Sequence, residues 1–100
     1  MAAQARVLKA LAHPTRLFIV DQLSRHEICV CELTDLIGAD ISTVSKHLSV
    51  LRSAGVLTDE RRGAQVFYRL RTDAVRPVLA GAREIVQSFA REQVELAKAG

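Results

Sequence analysis

The sequence predicts a mainly α-helical domain with one small β-hairpin, and three patterns indicate this fold class. Apolar residues recur about every 3.6 positions through most of the 100-residue chain, which is the period of an α-helix. Between residues 56 and 71 the period falls to two on either side of Gly63–Ala64, as in two strands joined by a turn. The composition is globular, because 49% of the residues are hydrophobic and 25% are charged.

Two helices are predicted at the start of the chain. The first covers about residues 2–12. The second opens with Pro14, a residue type that is favoured in the first turn of a helix. Their apolar faces consist of Val7, Leu8 and Leu11 in the first helix and of Leu17, Val20 and Leu23 in the second.

A pair of helices joined by a tight turn is predicted next. The shorter helix ends at Gly38, a residue type that is common at C-terminal caps. The longer helix covers about residues 42–54, with Ser42 as its N-terminal cap. The apolar positions are Leu33, Leu36 and Ile37 in the shorter helix and Val44, Leu48 and Leu51 in the longer one.

A hairpin over about residues 56–71 and a long helix over about residues 73–97 complete the chain. Alternate spacings of four and three residues give the long helix a seam that can pack against another helix. The seam consists of Val75, Leu79, Ala82, Val86, Phe89, Gln93 and Leu96.

This order of elements predicts a single winged helix-turn-helix domain over residues 1–100, in which the hairpin is the wing. The seam extends beyond what one short domain can cover, so we predict a homodimer formed by the first and last helices. The residues predicted at this interface are Val7, Leu8, Leu11, Leu79, Ala82, Val86 and Phe89. A two-fold dimer presents two copies of the 42–54 helix and therefore predicts a palindromic operator.

The distribution of charge predicts double-stranded DNA as the partner. Residues 42–71 hold six basic and two acidic residues, which indicates a polyanion footprint, although a solvated basic face has the same pattern. On the 42–54 helix, small polar residues and Lys46 lie opposite the apolar face, so they can enter a major groove. The predicted DNA contacts are Ser42, Thr43, Ser45, Lys46, His47, Ser49, Arg52, Arg61, Arg62 and Gln65.

Both cysteines of the chain lie in "ICVCEL", at the predicted start of the shorter helix. Residues i and i+2 of an α-helix point about 200° apart, so Cys29 and Cys31 reach one ion only from an extended or turn conformation. Soft thiolates suit As(III) or Sb(III), and two sulfurs are too few for a four-cysteine zinc site. Three alternatives stay open. The ion is Cd(II), Zn(II) or Pb(II), with His26 or Glu32 completing a site for Zn(II) or Cd(II); the signal is oxidation or persulfidation of the same thiols; or both cysteines are inert and partly buried.

Four segments, "LAHPTRLFIVDQL", "ICVCELTDLIG", "STVSKHLSVLRSAGVL" and "RRGAQVFYRL", resemble the ArsR/SmtB family of bacterial metal-responsive repressors. The resemblance implies a winged-helix dimer that leaves the DNA of a resistance operon when a metal or metalloid binds. "ICVCEL" is similar to the Cys-Val-Cys box of the arsenic- and antimony-responsive branch and of cadmium- and lead-responsive relatives. It implies that Cys29 and Cys31 are ligands and that As(III) or Sb(III) is the inducer. Some arsenic-responsive members have a third cysteine where this chain has Thr34, so a small thiol or hydroxide is the expected third ligand.

Other classes of protein are not expected. No nucleophile–base set, glycine-rich phosphate loop or pair of catalytic carboxylates is present, so we predict neither an enzyme nor an organic cofactor. No run of about 18 apolar residues indicates a membrane span. Residues 1–16 lack the apolar core of a signal peptide, and we expect a cytoplasmic protein with reduced thiols.

Overall fold

The structure, a computed structural model, describes all residues from Met1 to Gly100 and confirms the mainly helical fold class. Its elements in chain order are α1 (Ala2–Leu11), α2 (Pro14–Leu23), β1 (Ile28–Cys29), α3 (Val30–Ile37), α4 (Ile41–Ser53), β2 (Leu57–Arg62), β3 (Gln65–Leu70) and α5 (Val75–Ala99). Helices α3 and α4 form the helix-turn-helix pair, and we call α4 the reading helix. Strands β2 and β3 form the wing.

One apolar core joins the helices to the sheet. Val44, Leu48 and Leu51, the predicted apolar face of the reading helix, have no exposed surface, and neither has Leu33 of α3. The other buried members of the cluster are Ala10, Leu11, Ile19, Val20, Leu23, Ile28, Val56, Leu57, Tyr68 and Val75. The position of the reading helix is therefore set by apolar packing on its inner side, and the side chains on its outer side are not needed for the core.

Two predicted core positions lie on the surface instead. Leu17 of α2 is 41% exposed, and the inner face of that helix is formed by Ile19 together with Val20 and Leu23. The run from Leu17 to Val20 is wholly apolar, so spacing alone does not show which of its members point inward. Leu36 of α3 is 48% exposed.

The ends of the helix-turn-helix pair show how the turn is made. Gly38 ends α3 in the left-handed conformation with φ of 76°, which agrees with its predicted role as a cap. The reading helix begins at Ile41, and its N-cap is Asp40, two residues before the predicted cap Ser42. The Thr43 N–H donates to Asp40 Oδ1 at 3.1 Å, and Ser42 Oγ donates to Oδ2 at 3.2 Å. These bonds, from Thr43 first and then Ser42, hold the pKa of the Asp40 carboxyl below its ordinary value.

The sheet contains a third strand that the sequence pattern did not predict. Its strand order is β1-β3-β2, and both pairings are antiparallel. Ile28 lies opposite Tyr68, and Cys29 lies opposite Phe67. The wing strands are joined at Gly63–Ala64, as predicted. Through this third strand the segment from Glu27 to Cys31, which we call the cysteine segment, is paired directly with the wing.

Most of α5 is exposed, and the whole chain measures 61 Å in its longest dimension and 21 Å in its shortest. Val75 is buried at the start of the helix, whereas Val86 and Phe89 are 68% and 62% exposed. One apolar face of α5 is thus uncovered in the single chain. No helix of the structure combines the length and the apolar content that are needed to cross a membrane.

Candidate nucleic-acid interface and thiol site

The outward face of the reading helix is polar and accessible. Six of its exposed residues are predicted DNA contacts: Ser42, Thr43, Ser45, Lys46, Ser49 and Arg52. Among them only Arg52 takes part in an ion pair, with Asp59 of the wing at 3.1 Å. Gln65, which follows the turn of the wing, is also exposed. Short hydroxyl side chains beside a free ammonium group suit close approach to base edges and phosphates.

His47, another predicted DNA contact, lies away from this face and is half-buried. The centroid of its ring is 4.6 Å from that of His13, the N-cap of α2. The Nδ1 atom of His13 accepts a hydrogen bond from the Thr15 N–H at 3.1 Å. Burial, followed by the charges of His13 and Arg16, lowers the pKa of the His47 imidazole. His47 therefore joins the reading helix to the start of α2, a contact that sequence spacing does not reveal.

The surroundings of His47 predict a pH dependence of stability. A base whose pKa is lowered by folding takes up its proton first in the unfolded chain, so acidification below the ordinary value of 6.5 favours unfolding. We expect the free energy of unfolding, measured by urea denaturation, to fall between about pH 7.5 and about pH 5.5. His47→Gln should reduce that fall, and His26→Gln, at an exposed histidine, is the control. An unchanged pH profile in His47→Gln would contradict this prediction.

The two arginines at the end of β2 have different surroundings. Arg61 is exposed and takes part in no ion pair, whereas Arg62 is held by two carboxylates. The guanidinium of Arg62 donates to both oxygens of Glu27 at 2.5 and 2.9 Å and to Glu60 at 2.8 Å. Its central carbon lies 4.6 Å from the centroid of the Phe67 ring. Arg61 is therefore the cation that is free to meet a phosphate.

The contact between Arg62 and Glu27 fixes geometry more than it adds stability. The hydrogen bonds from Arg62 hold the pKa of the Glu27 carboxyl below its ordinary value, and those to Glu27 and Glu60 raise the pKa of Arg62. Both side chains are partly exposed, at 41% and 38%, so solvent screens the interaction. A two-point contact between guanidinium and carboxylate nevertheless sets a direction as well as a distance.

The cysteines lie on either side of a strand–helix junction. Cys29 is extended, with φ of −76° and ψ of 155°, and is the half-buried N-cap of α3. Cys31 is exposed in the first turn of the helix, and both thiols are free. No three His, Cys, Asp or Glu side chains in the chain come together to hold one ion, so His26 and Glu32 do not complete such a group with the cysteines.

The Thr34 hydroxyl is directed toward its own helix. Its Oγ1 donates a hydrogen bond to the carbonyl of Val30 at 2.7 Å, and the side chain is half-buried. The Thr34 side chain is thus hydrogen-bonded to the backbone of its own helix. The two thiols are the soft donors at this junction, and soft donors suit a soft ion.

The predicted dimer residues fall into three groups by exposure. Leu8, Ala82, Val86 and Phe89 are exposed, Val7 and Leu79 are half-buried, and Leu11 is only 5% exposed. Leu11 belongs to the core of its own chain, which leaves little of it for a partner. The exposed apolar members lie on the first and last helices, where a second copy can cover them.

The fold and its polar helix define a winged helix-turn-helix DNA-binding domain. The model of the bacterial regulatory protein arsR family matches residues 13–59. The HTH-type transcriptional repressor SmtB of Mycobacterium tuberculosis is 47% identical over 68 residues, which cover 68% of this chain and 50% of the relative. The arsenic resistance transcriptional regulator ArsR1 of Pseudomonas putida is 39% identical over 83 residues, which cover 82% of this chain and 65% of the relative.

A solved structure gives the same result for the fold. The homodimeric winged helix-turn-helix DNA-binding domain Mb0332 from Mycobacterium bovis matches with a TM-score of 0.76 and 34% identity, over 94% of this chain and 83% of that one. The chain belongs to the arsR family of bacterial regulatory proteins. It spans half the length of SmtB. Family membership confirms the resemblance and places the chain among transcriptional regulators rather than enzymes, whereas the arsenic- and antimony-responsive branch stays a prediction.

Proposed function

We propose that the chain is a cytoplasmic transcriptional repressor that binds palindromic operator DNA as a homodimer and leaves it when As(III) or Sb(III) binds Cys29 and Cys31. The observation that carries DNA binding is the two-sided reading helix, with an inner face that is fully buried and an outer face of exposed hydroxyls and Lys46. The name of SmtB, a transcriptional repressor, supports repression, and the name of ArsR1, an arsenic resistance regulator, supports arsenic as the inducer.

In the proposed complex the reading helix enters the major groove. Serine and threonine hydroxyls contact base edges, and Lys46 and Arg52 contact bases or phosphates. Arg61 meets the backbone beside the groove from the tip of the wing. Affinity should then fall steeply with salt, because each neutralised phosphate releases counterions.

The homodimer is supported by the uncovered apolar faces of α1 and α5 and by the homodimeric state of Mb0332. Pairing would bury Val86 and Phe89, which the single chain leaves in water. A two-fold dimer presents two reading helices to DNA. The half-sites of the operator should lie about one helical turn, or a multiple of about 34 Å, apart.

Release by the inducer follows from the strand–helix junction. Cys29 is extended and Cys31 is helical, and in the proposed release the first turn of α3 opens so that both thiols hold one ion. A small thiol or hydroxide supplies the further ligand. Because α3 shares its core with the reading helix through Leu33, opening that turn shifts the reading helix on the operator. A coupling free energy of about 1–3 kcal/mol changes DNA affinity 5- to 150-fold.

DNA binding is tested with a duplex selected from random sequence by the reduced, purified protein. Fluorescence anisotropy over a range of salt concentrations gives the affinity and its salt slope. Lys46→Gln is expected to weaken binding and to reduce the slope by about one for each protomer of the dimer. Lys98→Gln, in the last turn of α5, is the matched control and should change neither. A selection that yields no preferred sequence would contradict operator binding.

The inducer is tested by adding arsenite to the same complex. We expect the affinity for the selected duplex to fall by at least about fivefold at arsenite concentrations that occupy the thiols. Parallel additions of Cd(II), Zn(II), peroxide and polysulfide separate the proposed inducer from its alternatives. Unchanged affinity with arsenite bound would contradict the proposed inducer without affecting the proposal of DNA binding.

A further inference from the structure

We infer that Arg62 is a positioning residue that clamps the wing to the cysteine segment, and that occupation of Cys29 and Cys31 loosens the wing as well as the reading helix. The second half of this inference rests on the proposed function. The first half concerns the protein without inducer. Three contacts carry it: a strand pairing, a cation–π contact and a two-point ion pair.

The strand pairing places a thiol against the wing. Strand β1 consists only of Ile28 and Cys29, and Cys29 lies opposite Phe67 of β3. A strand of two residues makes few hydrogen bonds to its neighbour, so a displacement of Cys29 disturbs half of its pairing. Movement of Cys29 therefore first disturbs the pairing with the neighbouring wing strand, β3.

The other two contacts close a ring around the same strand residue. The guanidinium of Arg62 lies over the Phe67 ring at 4.6 Å and donates to both oxygens of Glu27. Glu27 directly precedes β1 in the chain. Cys29 is therefore linked to Phe67 by strand pairing, Phe67 contacts Arg62, and Arg62 bonds to Glu27. Glu27 lies only two residues before Cys29 in the chain. The wing cannot change its angle to this segment without breaking one of these contacts.

The alternation of a β-strand separates the roles of the two neighbouring arginines. Successive side chains of a strand point to opposite faces of the sheet, so Arg61 and Arg62 cannot both face the DNA. Arg61 shares its face with Asp59, which pairs with Arg52 of the reading helix. Arg62 shares its face with Glu60, and a phosphate would have to compete with two carboxylates for it. Arg61 is accordingly the phosphate contact and Arg62 the clamp.

Hydrogen exchange of the wing tests the clamp directly. Amide exchange of residues 57–70 is followed by mass spectrometry in the reduced protein, with and without arsenite. Arsenite should speed exchange of the wing several-fold in the wild type. Glu27→Gln and Arg62→Gln should exchange fast without arsenite, and the double variant should be no faster than Arg62→Gln, because that substitution already removes the contact with Glu27. Glu32→Gln, which removes an exposed acid near Cys31 that forms no ion pair, is the matched control. Bound arsenite with unchanged wing exchange would overturn the coupling.

The salt dependence of DNA binding distinguishes a phosphate contact from a clamp, because only the loss of a phosphate contact reduces the salt slope. Arg61→Gln should reduce the slope by about one for each protomer of the dimer, whereas Arg62→Gln should leave it unchanged while lowering affinity. An equal loss of slope in Arg62→Gln would overturn the proposal. If arsenite does not bind the wild type, the proposed inducer fails and the coupling fails with it. The clamp is then decided by Glu27→Gln, which must speed wing exchange relative to both the wild type and Glu32→Gln.

Discussion

Serine in place of either Cys29 or Cys31 is expected to abolish the release of DNA by arsenite and to leave the affinity measured without arsenite unchanged. A hydroxyl is a hard donor that binds As(III) poorly, and one remaining thiol cannot draw the strand and the helix together around an ion. The whole 5- to 150-fold effect of the inducer should therefore disappear. Anisotropy with the selected duplex, with and without arsenite, measures both quantities.

A neighbouring hydroxyl residue provides the control for this prediction. Thr34→Ser lies on the same helix and keeps a hydroxyl that can bond to the Val30 carbonyl, so it should respond to arsenite like the wild type. A full response in either cysteine variant would contradict a two-thiol site. Weaker DNA binding by a cysteine variant without arsenite would show instead that the side chain supports the fold of the junction.

The largest loss of stability is expected for Leu48→Ala in the reading helix. Leu48 has no exposed surface and lies in the same core as Leu33 and Leu51. Removing a buried leucine side chain costs about 2–5 kcal/mol, because contacts are lost and a cavity remains. That is a large part of the roughly 5–15 kcal/mol that stabilises a typical domain. Urea unfolding followed by circular dichroism measures the change.

Leu36→Ala is the matched control, because Leu36 is 48% exposed on the neighbouring helix. The same atoms are removed, but about half of the Leu36 surface already faces water, so the loss should stay below about 1 kcal/mol. Equal losses in the two variants would mean that the buried face of the reading helix is not where the structure places it. Because Leu48 points away from DNA, residual folded Leu48→Ala protein should keep its sequence preference.

The parts of this fold that follow from the sequence are those with repeated spacing. Val44, Leu48 and Leu51 recur at helical intervals, and all three are buried. Gly38 and the Gly63–Ala64 turn use residue types that suit their backbone conformations. In each case the signal is local, because a few neighbouring residues determine it.

The features that escaped prediction depend on contacts between distant segments. Strand β1 has two residues, too few to show any period. Glu27 and Arg62 are 35 positions apart and meet only because β1 pairs with β3. His13 and His47 meet for a similar reason, across the junction of two helices. The position of both cysteines at a helix start could be predicted, whereas their link to the wing could not.

The uncovered face of α5 has a consequence for how occupancy of the operator depends on the concentration of the protein. If two chains must associate before DNA is held tightly, occupancy at low abundance rises with the square of the concentration of free chains. A small fall in synthesis or a modest rise in proteolysis then empties the operator more sharply than it would for a monomer. Val86 and Phe89, far from either thiol, would in this way set the threshold at which the cell first expresses the genes under its control.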